Sequence, residues 1–382
     1  MGPDRGVPHL TAQRTIVHFA DLHLDSPFAW CEATGDVARR RREALRDTLL
    51  AIVELVRSTD ADALFCGGDL YEHDRVTLDT ADFLRQTFAS LDPVPVYIAP
   101  GNHDWYGPTS VYATGGWSGN VHIFRDAALQ AVSLAPGITL WGAAHCAPAN
   151  TDNFLGDGFR VSGTGAHVAL FHGAERSWLA AQGEGKAPHA PFETAEIPDS
   201  GLHHAFLGHY HRPADGAHHT YPGNPDPLQF GEEGERGPVV ATIDAEGGVA
   251  CERHVVAVTP VHDLRLDVTG LTSRQQIRDS LREKAESLAG LARLTVCGDL
   301  EPSLDLQEDT IREQLLETFD AVQIRKSELH LAYDLEEIRG EPTVRGRFVE
   351  DVLGAELADD EKRRVLRMGL RALDGRDDLE VL

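Results

Sequence analysis

Apolar runs of strand length that break off at a glycine or a metal-ligating side chain recur between Ile16 and His211, and this recurrence constrains the fold more than any other feature. Ile16-Val17-His18-Phe19-Ala20 stops at Asp21-Leu22-His23, and Ala63 to Cys66 stops at Gly67-Gly68-Asp69. Val94 to Ala99 ends in Pro100-Gly101-Asn102-His103-Asp104, Val168 to Phe171 in His172-Gly173, and His204 to Leu207 in Gly208-His209-Tyr210-His211. Such runs read as buried strands, and the glycines supply tight turns and close backbone approach. If the strands lie side by side, their carboxyl ends converge on one pocket, as ligand sites do in open α/β sheets. An extended backbone would put Asp21 and His23 on the same side, about 7 Å apart, within reach of one ion.

Asp21, Asp69, Asn102, His23, His172, His209 and His211 are more ligands than one ion takes. Two ions sharing a bridging carboxylate, about 3.5 to 4 Å apart, would use them all. Oxygen and imidazole ligands without thiolate point to Mn²⁺ first, then Fe or Zn²⁺, ahead of Mg²⁺. The 5 cysteines form no C-x-x-C pair, which argues against a structural zinc site and suits reduced thiols in the cytosol. His18, His203, His204, His218 and His219 read as strand or loop residues, and Tyr221 to Asn224 as a turn at the pocket rim.

The ordered set D-x-H, G-G-D, G-N-H-D, a lone His after a strand, and G-H-x-H resembles the calcineurin-like metallophosphoesterase superfamily over residues 15 to 258. "HFADLHLDSPF", "GDLYEHDR" and "YPGNP" are most similar to the YhaO-type and SbcD-type DNA repair exonucleases, relatives of the Mre nuclease. The resemblance implies a four-layer αββα sandwich. It implies that Asp21, His23 and His211 hold one ion, that Asn102, His172 and His209 hold the other, and that Asp69 bridges them. His103 would protonate the leaving oxygen or stabilise charge on the phosphorane, with Asp104 orienting its imidazole. Where archaeal nucleases of this type carry a His, this chain has Glu72; the neighbouring His73 is a candidate substrate contact. The expected activity is two-metal phosphodiester hydrolysis, by a DNA exonuclease or endonuclease working with an SbcC-like coiled-coil ATPase. A hydrolase of a small phosphodiester or phosphomonoester, and a catalytically weak scaffold for DNA ends, are the alternatives.

The charge of −26 is the main obstacle to the DNA reading, because duplex affinity rests on Lys and Arg neutralising phosphates. The two ions and the ATPase would have to supply the missing attraction. No apolar stretch approaches the roughly 20 residues of a membrane span, and no signal-peptide pattern opens the chain, so a soluble cytoplasmic protein is expected.

The length favours more than one domain. Residues 1–14 read as a flexible leader and 15–258 as the phosphoesterase domain. Residues 259–340 read as a small α+β cap, and 341–382 as a C-terminal helix-loop-helix. In the first domain, 36–58 is expected to be a helix with the stripe Leu45, Leu49, Ile52, Val53, Val56, and 78–91 another. Both helices are also candidates for a homodimer contact, and Arg39 to Arg42 for a solvated helix face. In the cap, helices are expected at 273–289 and 309–319 between strands. Two amphipathic helices, 344–357 and 359–373, would hold the ATPase, the second opened by acids suited to a helix N-terminus.

Overall fold

The computed structural model describes residues 13–30, 35–156, 158–178, 188–304 and 306–375. Most of the expected leader, residues 1–12, and Cys31 lie outside the described residues. The chain divides at Thr259/Pro260 into two compact units.

The first unit contains two six-stranded sheets. In chain order its strands are β1 (Arg14–Phe19), β2 (Ala63–Cys66), β3 (Val96–Ile98), β4 (Val121–Ile123), β5 (Gln130–Ala135), β6 (Ile138–Gly142), β7 (Ala166–His172), β8 (His204–Gly208), β9 (Ala214–Asp215), β10 (His219–Tyr221), β11 (Val239–Ile243) and β12 (Val249–Arg253). Helices α1 (Gly35–Ser58) and α2 (Leu78–Ala89) connect β1, β2 and β3, and the short α3 (Glu196–Asp199) precedes β8. One sheet runs β12-β11-β1-β2-β3-β4, with β1 to β4 parallel. The other runs β5-β6-β7-β8-β10-β9, with β6, β7, β8 and β10 parallel.

Strand alternation builds the layers. On β1, Ile16 faces the second sheet with Ala63 and Phe65, against Ile138, Leu140, Val168, Leu170 and Phe206. Val17 and Phe19 face the opposite way with Leu64, Cys66, Val96 and Ile98. There they meet the α1 stripe Leu45, Leu49, Ile52, Val53, Val56 and the α2 residues Ala81, Leu84 and Phe88. Both helical stripes are therefore used against the sheet. The far face of the second sheet is covered by Phe154, Phe192, Ile197 and Leu202, from loops and α3. The result is a mixed α/β sandwich with parallel-rich sheets, in which all five of the expected ligand-bearing runs form strands.

The Arg39 to Arg42 run is a surface only in part. Arg39 pairs with Asp36 and Glu43, and Arg40 with Asp36, whereas Arg41 is buried and pairs with Asp226 at 2.8 Å. Asp226 also accepts from Val258 N and Thr259 N, which fixes the chain where the first unit ends.

In the second unit, β13 (Val261–Asp267), β14 (Leu291–Leu300) and β15 (Ala321–Leu331) form an all-parallel sheet joined by α4 (Arg274–Ala285) and α5 (Glu308–Leu316). Helix α4 ends four residues before the expected Ala289. Glu286 leaves helical geometry, and Ser287 and Gly290 have φ of 64° and 90°. Helices α6 (Leu335–Arg339), α7 (Val344–Gly354) and α8 (Asp359–Leu373) form a separate small core of Ile338, Val349, Val352, Leu366 and Leu370. No helix among the described residues is long and apolar enough to cross a membrane.

Candidate metal centre

The ligand-bearing turns leave the ends of β1, β2 and β3 in one sheet and β7 and β8 in the other. The site therefore forms at the carboxyl ends of strands from both packed sheets, in keeping with the expected sandwich. Backbone bonds lace the turns together: Asp21 N to Gly68 O at 3.0 Å, His23 N to Asp69 O at 2.9 Å, and Gly173 N to Gly208 O at 3.2 Å. A Cβ on Gly101 would run into the Asp69 carboxylate and come within 2.9 Å of His172 Nδ1, so only glycine lets these turns close.

Asp21 and His23 are not presented by an extended backbone. Their φ angles are 55° and 51°, and Asp69 (52°) and His209 (114°) also have positive φ. Asp and His tolerate this region better than most side chains, and its use at four expected ligands marks a strained functional turn.

The structure brings all seven expected ligands together. Asp21, His23 and His211 offer ligand atoms within 4.8 Å of one another, as do Asp21, Asp69 and His172. Asp69 Oδ2 lies 3.3 Å from His172 Nε2 and 3.6 Å from His23 Nε2, between the two groups. Asn102 Oδ1 lies 3.0 Å from His172 Nε2, and His209 rests its ring against His172 at 5.2 Å. The Asp21 carboxylate accepts from His209 N at 3.0 and 3.2 Å.

This donor set fits a pair of divalent cations. His23 Nε2 and His209 Nε2 are buried without a hydrogen-bond partner, a costly arrangement unless an ion takes their lone pairs. His172 has Nδ1 2.9 Å from Gly67 O and Nε2 facing Asn102 Oδ1 and Asp69 Oδ2. Without an ion the ring satisfies these oxygens only as the imidazolium; with Nδ1–H on Gly67 O, the Nε2 lone pair and the two oxygens converge as donor atoms for one cation. His211 is held the same way, its Nδ1 3.0 Å from Glu232 Oε1, and Glu232 is fixed by Asn224 Nδ2 at 2.6 Å and Leu228 N at 2.7 Å.

The electrostatics follow from burial and close charge. Burial opposes ionisation of Asp69, but the charge and hydrogen bond of His172, with His23 and His103, hold it well below the usual carboxylate range. Burial raises the Asp21 carboxyl against the pull of His172 and His211. Burial, reinforced by His172, keeps His209 well below its ordinary value, so it is a neutral ligand. Desolvation works against a charged His103, yet its hydrogen bond to Glu72 and the charge of Asp69 bring it up to about 9.

His103 is the most open of these groups: its side chain is 45% exposed, whereas Asp21, His23, Asp69, Asn102 and His172 are buried. Its orienting group differs from the expectation. Asp104 turns inward, accepting from Asp69 N at 3.0 Å, Leu70 N at 2.8 Å, Gly101 N at 2.6 Å and the Tyr112 hydroxyl. Those donors use its lone pairs, so Asp104 shapes the turns, and the carboxylate at His103 Nδ1 is Glu72, at 2.9 Å. His73 stacks on Trp105 at 3.8 Å between ring centres, beside this edge of the site. Tyr221 donates to Gly173 O at 2.7 Å and Asn224 binds Glu232, so the 221–224 turn braces two ligand turns. Sequence reasoning missed Glu72 and Glu232 as histidine partners, and also His189, whose ring lies 5.5 Å from that of His209. Glu72 stands three residues after Asp69, a proximity that could have been read; Glu232, 21 residues from His211, has no such signal.

Comparison with known proteins gives a family model, calcineurin-like phosphoesterase, matching residues 14–213, just over half of the chain. A curated relative, the uncharacterized metallophosphoesterase YhaO of Bacillus subtilis (strain 168), is 28% identical over 234 residues, 58% of this chain. The match spans 56% of that relative's length. Among solved structures, TT1561 of Thermus thermophilus matches at TM-score 0.35 and 14% identity, covering 63% of this chain and 99% of that one. The calcineurin-like phosphoesterase YfkN of Bacillus subtilis matches at TM-score 0.37 and 11% identity, covering 72% and 97%.

Proposed function

Because the chain belongs to the calcineurin-like phosphoesterase family, it is a metal-dependent hydrolase of phosphoesters, and on that premise we propose that its substrate is a phosphodiester of DNA. The observation that carries this reading is the arrangement of the site: Asp21, His23, Asp69, Asn102 and His172 are buried, while His103 beside them has a side chain 45% exposed and open to a substrate.

Asp21, His23 and His211 would hold one ion, Asn102, His172 and His209 the other, with Asp69 shared. Two divalent ions, Mn²⁺ being the pair to test first, would supply an activated water and neutralise charge on the phosphate oxygens. His103, its Nδ1 engaged by Glu72, turns Nε2–H outward to protonate the leaving oxygen. Docking of an SbcC-like ATPase on α7 and α8 belongs to the same proposal. Val344 and Leu373, 75% and 46% exposed, are apolar side chains such a partner would cover.

The test is Mn²⁺-dependent digestion of end-labelled single- and double-stranded linear DNA at low salt. Shortening of the label supports the proposal. A second reading, a small phosphodiester or phosphomonoester as substrate, is favoured by the charge of −26. It prevails if the protein leaves DNA intact, with and without the ATPase, while cleaving a chromogenic phosphoester.

A further inference from the structure

We propose that Glu72 is a positioning residue that holds both the metal ligand His23 and the acid His103, and so ties the protonation of the leaving group to the geometry of the metal site. The inference rests on the phosphoester-hydrolase reading above.

The carboxylate bridges the two imidazoles. Glu72 Oε1 lies 2.7 Å from His23 Nδ1 and Oε2 lies 2.9 Å from His103 Nδ1. The rings stand edge to face, 4.8 Å between centres and 78° between planes. The Glu72 backbone is fixed as well: its N–H donates to Leu24 O at 3.0 Å, and its carbonyl accepts from Arg75 N and Val76 N at 3.0 and 2.9 Å. His73 N donates to His103 O at 2.9 Å and pins the two turns to each other.

A carboxylate only accepts, so both imidazoles must turn an Nδ1–H toward it. For His23 this leaves the Nε2 lone pair for an ion, in agreement with Nε2 being buried and without a hydrogen-bond partner. For His103 the same contact stabilises the ring in the form that carries a proton on both nitrogens, and Nε2–H is then the outward donor. One side chain thus sets the tautomer of a metal ligand and the aim of a proton donor. Asp104 does not share that service for His103, since it is occupied by backbone donors and Tyr112.

Glu72→Gln separates the two duties. An amide has one acceptor oxygen and one NH₂. With its oxygen toward His23 Nδ1–H, the amide must donate to His103 Nδ1, which strips that ring of its second N–H. The ring keeps its place and loses its acidity. The experiment compares the 4-nitrophenyl and phenyl esters of thymidine 5′-phosphate, two diesters that differ in how much the leaving oxygen needs a proton. Mn²⁺ stoichiometry is measured in parallel by calorimetry. Glu72→Gln is expected to bind as many Mn²⁺ as the wild type. Its loss of kcat should be on the order of 100-fold on the phenyl ester, and at least tenfold smaller on the nitrophenyl ester. In a His103→Ala background, Glu72→Gln should add no further loss on the phenyl ester.

Equal losses on the two esters, or a full additional loss in the double variant, overturn the role of Glu72 while leaving the hydrolase reading intact. Loss of an ion from Glu72→Gln also overturns the assignment of its amide. A wild-type chain that binds Mn²⁺ and hydrolyses neither ester overturns both readings together.

Discussion

At the residue scale, chemistry separates His103 from Asp104, although they are neighbours in sequence. His103 sits at the surface of the site with one carboxylate contact, so its loss should disturb little besides the reaction. His103→Ala is expected to lower kcat by roughly 10² to 10⁴ on an ester with a poor leaving group, with Mn²⁺ binding and melting temperature near those of the wild type. Asp104→Asn keeps one acceptor oxygen and puts an NH₂ in place of the other, facing either Asp69 N and Gly101 N, which use Oδ1, or Leu70 N and the Tyr112 hydroxyl, which use Oδ2. Buried donors left without an acceptor cost about 1 to 3 kcal/mol each, so this variant should unfold several degrees earlier and bind Mn²⁺ poorly. Calorimetric melting distinguishes the two variants. The seven ligands were legible because each follows an apolar run, all but Asp21 and His23 in a turn that also holds a glycine, whereas the role of Glu72 was not. Spacing identifies a residue that can reach a turn, but not which of His23, His73 and His103 it meets there.

At the element scale, strand ends carried most of the information. The fully buried run Ala63–Cys66 has no polar alternation to blur it, and its observed bounds coincide with those read from sequence. The strands that escaped notice are β5, largely exposed and polar at its start, β12, mostly exposed, and β9 and β10, of two and three residues. Their pairing is dictated by neighbours more than by local pattern. The parallel sheets also bury histidines that take no part in the metal site. On β1, burial drives His18 down to about 3, against its hydrogen bonds to the Leu207 and Phe65 backbone that favour its charge; on β8, burial and His219 drive His204 to about 4. Both values lie below the ordinary 6.5, so the unfolded chain binds more protons than the folded one across this window. Stability from these two groups is fully present above pH 6.5 and is lost as pH falls toward 4 and then 3. A melting series should show the fall, and His204→Gln, which keeps a polar partner for Thr220, should make it shallower. An unchanged slope would show that other groups dominate acid unfolding.

At the scale of the whole molecule, the cores decide how the chain should unfold. The three clusters of the first unit draw on residues up to Val256, and the two of the second on residues from Leu264 onward. Each unit has a sheet or helical core of its own, and the first is closed by Asp226, which holds Val258 N and Thr259 N at 2.8 and 3.0 Å. Every candidate metal ligand belongs to the first unit. Ions bound to the native state alone stabilise it by about 2.7 kcal/mol when present at 100 times their dissociation constant. They also relieve the repulsion between the buried carboxylates Asp21 and Asp69. Calorimetry of the full chain should therefore show two transitions. Chelation should lower the one that belongs to residues 13–259 by several degrees, and leave the one of residues 260–375 where it was. Proteolysis at the 259–260 junction, followed by the same scan, assigns the peaks. A single transition that moves as a whole on chelation would mean that the units unfold as one cooperative body. The metal site would then stabilise the second unit as well as the first.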